Sequence, residues 1–222
     1  MIDKKKIYDD IFNNPKYMGL SYYQIETIYK NALIGIYDDS LIKKEELKRR
    51  YAYSPKKAVE YAMKYALNYN PAYPSYKGSG GDCANFISQC LHAGGKPMVG
   101  NNAASMKSWF CWSKNKWDVK SISSTWRGAA AFSVYWKVNA NAYRDFDKSY
   151  FKSLEAFKSI YNYASRGDAL SFLDYNGSAY HTLIVVDYSN GDLICASHAY
   201  DSNNRSLFAD SPEGGVRIYK MS

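Results

Sequence analysis

The chain has 222 residues, 46% of them hydrophobic and 23% charged, and this composition excludes extensive disorder. Lys and Arg number 29 against 21 Asp and Glu, so the net charge of +8 favours an anionic partner. No nucleic-acid-binding motif accompanies that charge, and no apolar run is long enough to cross a membrane. We therefore expect neither a nucleic acid as partner nor a membrane span.

The first 50 residues form a predicted helical segment, because apolar residues recur there at spacings of three and four. Ser54 followed by Pro55 then predicts the start of another helix, since Ser is a favoured N-cap and Pro fits the first helical position. We expect that helix to run to about Tyr69. The predicted organisation is thus an N-terminal helical segment (1–50) and one larger domain (51–222).

The next helix is predicted to begin at Cys83. A loop rich in Pro and Gly precedes it, and apolar residues at positions 83, 86, 87, 90 and 91 follow the spacing of a helix with one buried face. Asp82 is a favoured N-cap residue, and Gly94 or Gly95 supplies the C-terminal stop.

Residues 96–165 contain all five Trp residues, and we expect short helices and loops there. Core packing accounts for most members of such a cluster. Trp126 is the exception, because Arg127 and Gly128 follow it and an exposed Trp-Arg pair suits a polymeric ligand.

The last quarter of the chain carries the turn signals and the alternation of strands. We predict strands over residues 169–173, 180–188, 193–199 and 216–219. Asn190-Gly191 indicates a two-residue hairpin turn, in which Ser189 pairs with Asp192. Counting back along that hairpin places His181 and His198 on one sheet face as diagonal neighbours.

Cys83 is the candidate nucleophile. A thiol at a helix N-terminus lies near the positive end of the helix dipole and unpaired N–H groups, and both lower its pKa. A free cysteine is nevertheless more often a small buried hydrophobic residue. A thiol nucleophile also needs a base and a group that orients it, which the predicted pair of His181 and His198 supplies. His92, near the C-terminus of the same helix, fits a contact with the helix dipole instead.

A Cys at a helix start, then a His on a strand and a polar residue on the next strand, is the papain-like order. Residues 81–89, Gly-Asp-Cys-Ala-Asn-Phe-Ile-Ser-Gln, resemble the DCxNFxSQ signature of the bacterial "putative amidase domain" family, which is related to the NlpC-type cell-wall peptidases of the papain-like clan. Residues 167–170 (Gly-Asp-Ala-Leu) and 197–201 (Ser-His-Ala-Tyr-Asp) are similar to two further segments of that family. The resemblance covers residues 52–222.

The resemblance implies an α+β papain-like fold of the NlpC type, in which the nucleophile helix packs on an antiparallel sheet. It implies hydrolysis of an amide or peptide bond and no cofactor. It assigns the nucleophile to Cys83, the base to His181 and the third position to His198. If the hairpin carries a bulge, Asp201 or Asn203 takes that third position. The family relationship and the positive charge favour bacterial peptidoglycan, or another peptide, as the substrate.

Further residues complete the predicted site. The backbone N–H of Cys83 is the expected oxyanion donor, and Tyr73 or Tyr76 is expected to add a second donor. Asp82 is expected to act as an N-cap rather than directly in catalysis. Trp126 is expected to contact the substrate.

Three alternatives use the same residues differently. A deamidating or transglutaminase-like effector has the same fold but releases ammonia, and a non-catalytic protein would bind wall polymer through its aromatic and basic side chains. Cys83, His181 and His198 also form a chemically suitable zinc ligand set. Because the N-terminus lacks the apolar core of a secretory signal peptide, we expect synthesis in the cytoplasm and action at the cell wall or in a target cell.

Overall fold

A six-stranded antiparallel sheet forms the centre of the computed structural model, which describes residues 53–78 and 81–222. The strands, in the spatial order β1-β6-β2-β3-β4-β5, are β1 (Ala142–Phe146), β2 (Ala169–Leu173), β3 (Ala179–Ser189), β4 (Asp192–Ser197), β5 (Ser202–Ser206) and β6 (Val216–Lys220). The helical segment predicted for residues 1–50 lies outside the described residues. The α+β class predicted from the sequence is confirmed.

Helices cover the sheet. They are α1 (Pro55–Tyr65), α2 (Cys83–Ala93), α3 (Ser124–Arg127), α4 (Ala129–Asn139), α5 (Leu154–Tyr163) and α6 (Leu207–Asp210), with a 3₁₀ helix at Lys148–Phe151. None of these helices combines the length and the hydropathy that a membrane span requires.

The predicted starts of the first two helices are confirmed. Ser54 caps α1 by accepting a hydrogen bond from the Lys57 amide, with Pro55 at the first helical position. That helix ends at Tyr65, four residues earlier than predicted. Helix α2 begins at Cys83 and ends at Ala93, and the amide of its C-cap, Gly94, donates to the Cys90 carbonyl.

The two edge strands β1 and β5 are absent from the sequence prediction. Four of the five β1 residues are exposed, and β5 reads Ser-Asn-Asn-Arg-Ser, with no buried member. An edge strand with no buried face carries no alternation of apolar and polar residues. Only its hydrogen bonds to a neighbouring strand define it.

Two hydrophobic cores lie on opposite faces of the sheet, and β3 contributes to both. Ile184 and Val186 belong to the core that contains α2, whereas Leu183 and Val185 belong to the core that contains α5. Because successive side chains of a strand point to opposite faces, the four apolar residues at positions 183–186 alternate between these two cores.

The β3–β4 hairpin has the predicted turn but not the predicted register. Ser189 pairs with Asp192 as expected. A bulge at Val186 then shifts the pairing by one residue, so Ile184 lies opposite Ala196. A shift of one residue moves every later side chain to the other face. The prediction that His181 and His198 share a face is therefore wrong.

Gly167, in the turn two residues before strand β2, has a backbone geometry and a setting that only glycine fits. Its φ is +86°, and a Cβ atom there would lie 2.7 Å from both Cα and Cβ of Pro55. Its amide donates to the Val185 carbonyl at 2.8 Å, and its carbonyl accepts from the Tyr53 hydroxyl at 2.5 Å. The Gly-Asp pair at 167–168 thus joins the start of α1 to the sheet.

We expect Gly167→Ala to destabilise the domain much more than Gly177→Ala. Gly177 also has a positive φ, +76°, but nothing lies within 4 Å of its added Cβ. The matched control isolates backbone strain, about 1 kcal/mol, whereas the contact with Pro55 adds roughly 1–3 kcal/mol. Urea unfolding of both variants measures the difference, and equal losses would contradict the packing role of Gly167.

Candidate active site

Cys83 is the first residue of a helix that is buried along most of its length. Its side chain retains 8% exposure, whereas Phe86, Ile87, Cys90 and Leu91 on the same helix retain none. Burial of that apolar face holds α2 against β3. The thiol consequently lies at the N-terminal end of the buried face and keeps a small solvent-exposed fraction.

Strand β3 meets the Cys83 thiol through Thr182. The Thr182 hydroxyl and backbone, together with the Ala84 amide, favour the thiolate, but burial outweighs them and raises the pKa of Cys83. The Thr182 hydroxyl is buried and makes no hydrogen bond of normal geometry, so its contact with the thiol is a loose one. The expectation of a lowered thiol pKa at the helix N-terminus is wrong here, because loss of solvent outweighs the helix end.

Asp82 is a buried carboxylate that connects three parts of the chain. One oxygen accepts from the Tyr76 amide at 2.8 Å and the Asn85 side-chain amide at 2.9 Å, and the other lies 2.7 Å from His198 Nδ1. The side chain is 1% exposed. It makes no capping hydrogen bond to α2, although Asp82 occupies the N-cap position. The expectation that Asp82 serves as an N-cap is wrong, because His198 and the preceding loop take its oxygens.

Both ring nitrogens of His198 face oxygen acceptors. Nδ1 faces the Asp82 carboxylate, and Nε2 lies 2.9 Å from the Tyr65 carbonyl. Only a ring that carries a proton on each nitrogen satisfies both contacts. The ring stacks between Phe86 and Tyr69, with centroid distances of 3.9 and 4.1 Å. Both nitrogens of the buried His198 ring are therefore engaged, one by the Asp82 carboxylate and one by the Tyr65 carbonyl, and neither is free to face a substrate or the thiol.

His181 lies on β3 immediately before Thr182, and its ring makes no hydrogen bond, unlike those of His92 and His198. Its Nε2 is buried without a partner, and its ring lies 5.6 Å from that of Phe172 in the α5 core. Burial, with a smaller effect from Arg205, lowers the pKa of His181 to about 4. The ring is therefore neutral at pH 7, and no hydrogen bond joins it to Cys83.

The two alternatives for the third position lie elsewhere. Asp201 accepts from the Tyr69 hydroxyl and from Lys77 Nζ, both at 2.8 Å, so it holds the ring that covers His198. Asn203 lies on β5. Neither contacts His181 by a hydrogen bond.

Trp126 is fully buried, so the expectation of an exposed Trp-Arg pair is wrong for the indole. Its Nε1 donates to the Asn85 side-chain oxygen at 2.9 Å, and its ring stacks with Tyr73 at 5.9 Å. Trp126 therefore supports the loop before Cys83 from inside the core. The Trp side chains that are exposed are Trp112, at 61%, and Trp117, at 76%.

The two candidate tyrosines differ in their hydroxyl groups. Burial raises the pKa of both, and the pKa of Tyr76 reaches about 12. The Tyr76 hydroxyl is buried without a hydrogen-bond partner, while its backbone amide is bound by Asp82. Tyr76 is the better placed of the two to donate a hydrogen bond to a bound molecule.

Sequence reasoning missed one residue of the site, Thr182, and expected Asn85 only to hydrogen-bond the neighbouring loops. Thr182 carries no motif signal, since its contact with Cys83 depends on how α2 packs on β3. Asn85 lies within the signature, where its fixed spacing from Asp82 and Cys83 was the available signal. Its side chain joins the Pro74 carbonyl, Asp82 and Trp126.

The zinc alternative finds no support in the described chain. Across residues 53–78 and 81–222, no three His, Cys, Asp or Glu side chains gather in a metal-binding arrangement. Cys83, His181 and His198 are separated because the two histidines point to opposite faces of the sheet.

We expect Asp82→Ser to lower the free energy of unfolding by roughly 3–5 kcal/mol, because it removes the acceptor of the buried His198 Nδ1, the Tyr76 amide and the Asn85 side-chain amide together. Serine is as good an N-cap as aspartate, so a mere capping role would leave stability nearly unchanged. Asp118→Ser, at an exposed position, is the control and should change stability by no more than about 0.5 kcal/mol. Urea unfolding followed by circular dichroism distinguishes the two roles.

We also expect alkylation of Cys83 by iodoacetamide to be slow at pH 7 and to accelerate continuously as the pH rises. The raised pKa keeps the thiol protonated at neutral pH, so the thiolate fraction grows about tenfold per pH unit below that pKa. Peptide mass spectrometry reports the rate at each cysteine, and Cys111, whose pKa is raised to about 11, is the internal reference. A rate plateau between pH 5 and pH 7 would instead indicate a preformed thiolate–imidazolium pair.

Comparison with known proteins places these residues in a family. The chain is 30% identical over 174 residues to the uncharacterized protein YhbB of Bacillus subtilis (strain 168), a match that covers 76% of this chain and 49% of YhbB. It is 31% identical over 168 residues to the uncharacterized protein YjcM of the same organism, covering 74% of this chain and 36% of YjcM. The chain thus spans half or less of these relatives.

No solved structure gives a significant match. The family model described as "Putative amidase domain" matches residues 52–219, which include Cys83, both β3 and β4 and the two histidines discussed above. The chain belongs to this putative amidase domain family, whose name denotes hydrolysis of an amide.

Proposed function

We propose that the domain is a papain-like cysteine hydrolase that cleaves an amide or peptide bond in bacterial peptidoglycan, with Cys83 as the nucleophile and His181 as the base. The carrying observation is the position of the thiol. The thiol belongs to the first residue of a buried helix whose N-terminal amides receive no side-chain cap. It contacts Thr182 on strand β3, and the preceding residue of that strand is the neutral His181. The family name supports amide hydrolysis.

His181 is the better base because His198 has no free nitrogen. A base must accept a proton from the thiol, and both His198 nitrogens are already engaged. His181 is neutral and unpartnered, and it directly precedes the residue that contacts Cys83.

A second irregularity of β3 supports a movement of His181 toward the thiol. The pairing of β2 and β3 shifts beside Phe172, so that Phe172 pairs with His181 but Leu173 pairs with Ala179. Tyr180 is thereby left without a partner in β2. Bulges change the direction of a side chain at modest energetic expense, and catalytic contacts often tighten only when substrate binds. We propose that β3 rearranges at this bulge, next to His181, and so brings the His181 ring to the α2 face.

The reaction follows from these roles. His181 takes the thiol proton, and the Cys83 thiolate attacks the carbonyl carbon. The backbone N–H of Cys83 and the Tyr76 hydroxyl donate to the oxyanion. The imidazolium of His181 protonates the leaving amine as the carbon–nitrogen bond breaks. Water, deprotonated by His181, then attacks the thioester, releasing a carboxylic acid and restoring the thiol.

Peptidoglycan is proposed as the substrate on the basis of charge. The chain carries a net charge of +8, and wall polymers are acidic. Exposed Trp112 and Trp117 add aromatic surface of the kind that stacks on sugars and peptides.

We expect Cys83→Ala to abolish hydrolysis of purified peptidoglycan, and His181→Ala to reduce it by about 10²- to 10⁴-fold, the usual contribution of a general base. Mass spectrometry of the products detects new amine and carboxyl ends and identifies the bond. Cys111→Ala is the matched control, since Cys111 has the same 8% exposure as Cys83 but does not begin a helix. It should retain activity.

Other outcomes separate the alternatives. Release of ammonia without new amine ends would indicate a deamidase, and binding without turnover by both wild type and Cys83→Ala would indicate a wall-binding protein. Full activity of His181→Ala would overturn the assignment of the base.

A further inference from the structure

A cavity of about 710 Å³ lies between the loop at residues 101–106 and helix α3. This volume is in the range of sites for small ligands. The loop and the helix are joined by a hydrogen bond of 2.8 Å from the Ser124 amide to the Ala103 carbonyl. The polar side chains of the lining are Asn101, Asn102, Lys120, Ser124 and Arg127.

The lining of this cavity is cationic. Lys120 and Arg127 supply two positive charges, and no Asp or Glu is among the lining residues. The Arg127 side chain makes no salt bridge or hydrogen bond with any described residue, unlike Lys77, Arg205 and Arg217, which form ion pairs. Its charge is thus available to a ligand.

Two buried polar atoms of the lining lack hydrogen-bond partners, Nε of Arg127 and Oγ of Ser124. A third such atom, the hydroxyl oxygen of Tyr76, lies outside the lining but near Arg127. Buried polar atoms are paired in most native structures, so three neighbouring exceptions call for a ligand or ordered water. All three groups donate hydrogen bonds, and guanidinium and hydroxyl groups together match the oxygens of a carboxylate.

Tyr76 connects this cavity to the reacting thiol. Arg127 lies close enough to Tyr76 to oppose the rise in the pKa of its hydroxyl that burial causes. On the other side, the Tyr76 amide donates to Asp82, the residue directly before Cys83. A group bound at Arg127 is therefore held next to the loop that leads into the nucleophile.

We propose that this cavity is a substrate-recognition subsite, in which Arg127, supported by Ser124 and Lys120, binds a free carboxylate of the amide that Cys83 cleaves. The inference rests on the proposed function, because it names the class of substrate for that site: acidic peptides whose carboxylate is close to the scissile bond. Amidation of that carboxylate would remove the negative charge that Arg127 binds.

Turnover tests the selectivity. The full chain is assayed with two soluble stem peptides from peptidoglycan. One carries the free carboxylate, and the other is identical except that this carboxylate is a carboxamide. Wild type should favour the carboxylate in kcat/KM by about 10- to 100-fold, the usual range for hydrogen bonds to a charged group. Arg127→Met should lose this preference by slowing the carboxylate substrate alone, and Arg127→Lys should keep part of it. An unchanged preference in Arg127→Met would overturn the proposal.

Binding tests the cavity independently of catalysis. The Arg127 Nε–H resonance of ¹⁵N-labelled Cys83→Ala protein is followed by NMR during titration with glutarate, with glutaramide as the neutral control and inorganic phosphate as the competing anion. We expect glutarate to shift this resonance and glutaramide to leave it unchanged. Equal or stronger binding of phosphate would overturn a carboxylate site, and no response to any anion would overturn an anion site. Because this readout needs no turnover, failure of the proposed hydrolase activity is distinguishable from failure of the subsite.

Discussion

The Asp82 carboxylate is the interaction on which the geometry of the site depends. A buried charge is tolerated only when it is paired and fully hydrogen-bonded, and Asp82 meets both conditions through His198, the Tyr76 amide and the Asn85 amide. These partners come from the end of β4, the loop before α2 and α2 itself. The same contacts turn the carboxylate away from the helix N-terminus. The amides beside Cys83 therefore remain available to a developing negative charge.

The pairing register of the β3–β4 hairpin determines the different environments of His181 and His198. One bulged residue, Val186, places His198 on the face of α2, where Asp82 and Tyr65 occupy both its nitrogens. The alternation of β3 leaves His181 on the other face, neutral and without a hydrogen bond. Two histidines that resemble a base and its orienting partner in the sequence thus have distinct environments. His198 is held by two buried hydrogen bonds, whereas His181 is a neutral ring on the strand that contacts Cys83.

Burial also determines the charge state of the Cys83 thiol and the His181 ring. Burial raises the pKa of Cys83 and lowers that of His181, so both are neutral in the structure described, with no stored ion pair. Activation of the thiol is then coupled to events that bring the two side chains together. Tyr76 connects the cationic cavity to the thiol, since its hydroxyl lies near Arg127 and its amide donates to Asp82, which suits a site where binding of an acidic group precedes reaction.

The sequence by itself determined the elements that depend on local patterns. The start of α1 at Ser54-Pro55, the start of α2 at Cys83, and the Asn190-Gly191 turn follow from capping, helical spacing and turn chemistry. The family signature around Cys83 identified the amidase domain. Only the tertiary structure decided the rest. It placed the bulge at Val186, buried Trp126 and directed Asp82 to His198 across 116 residues, since such choices depend on which distant groups compete for each face and each hydrogen bond.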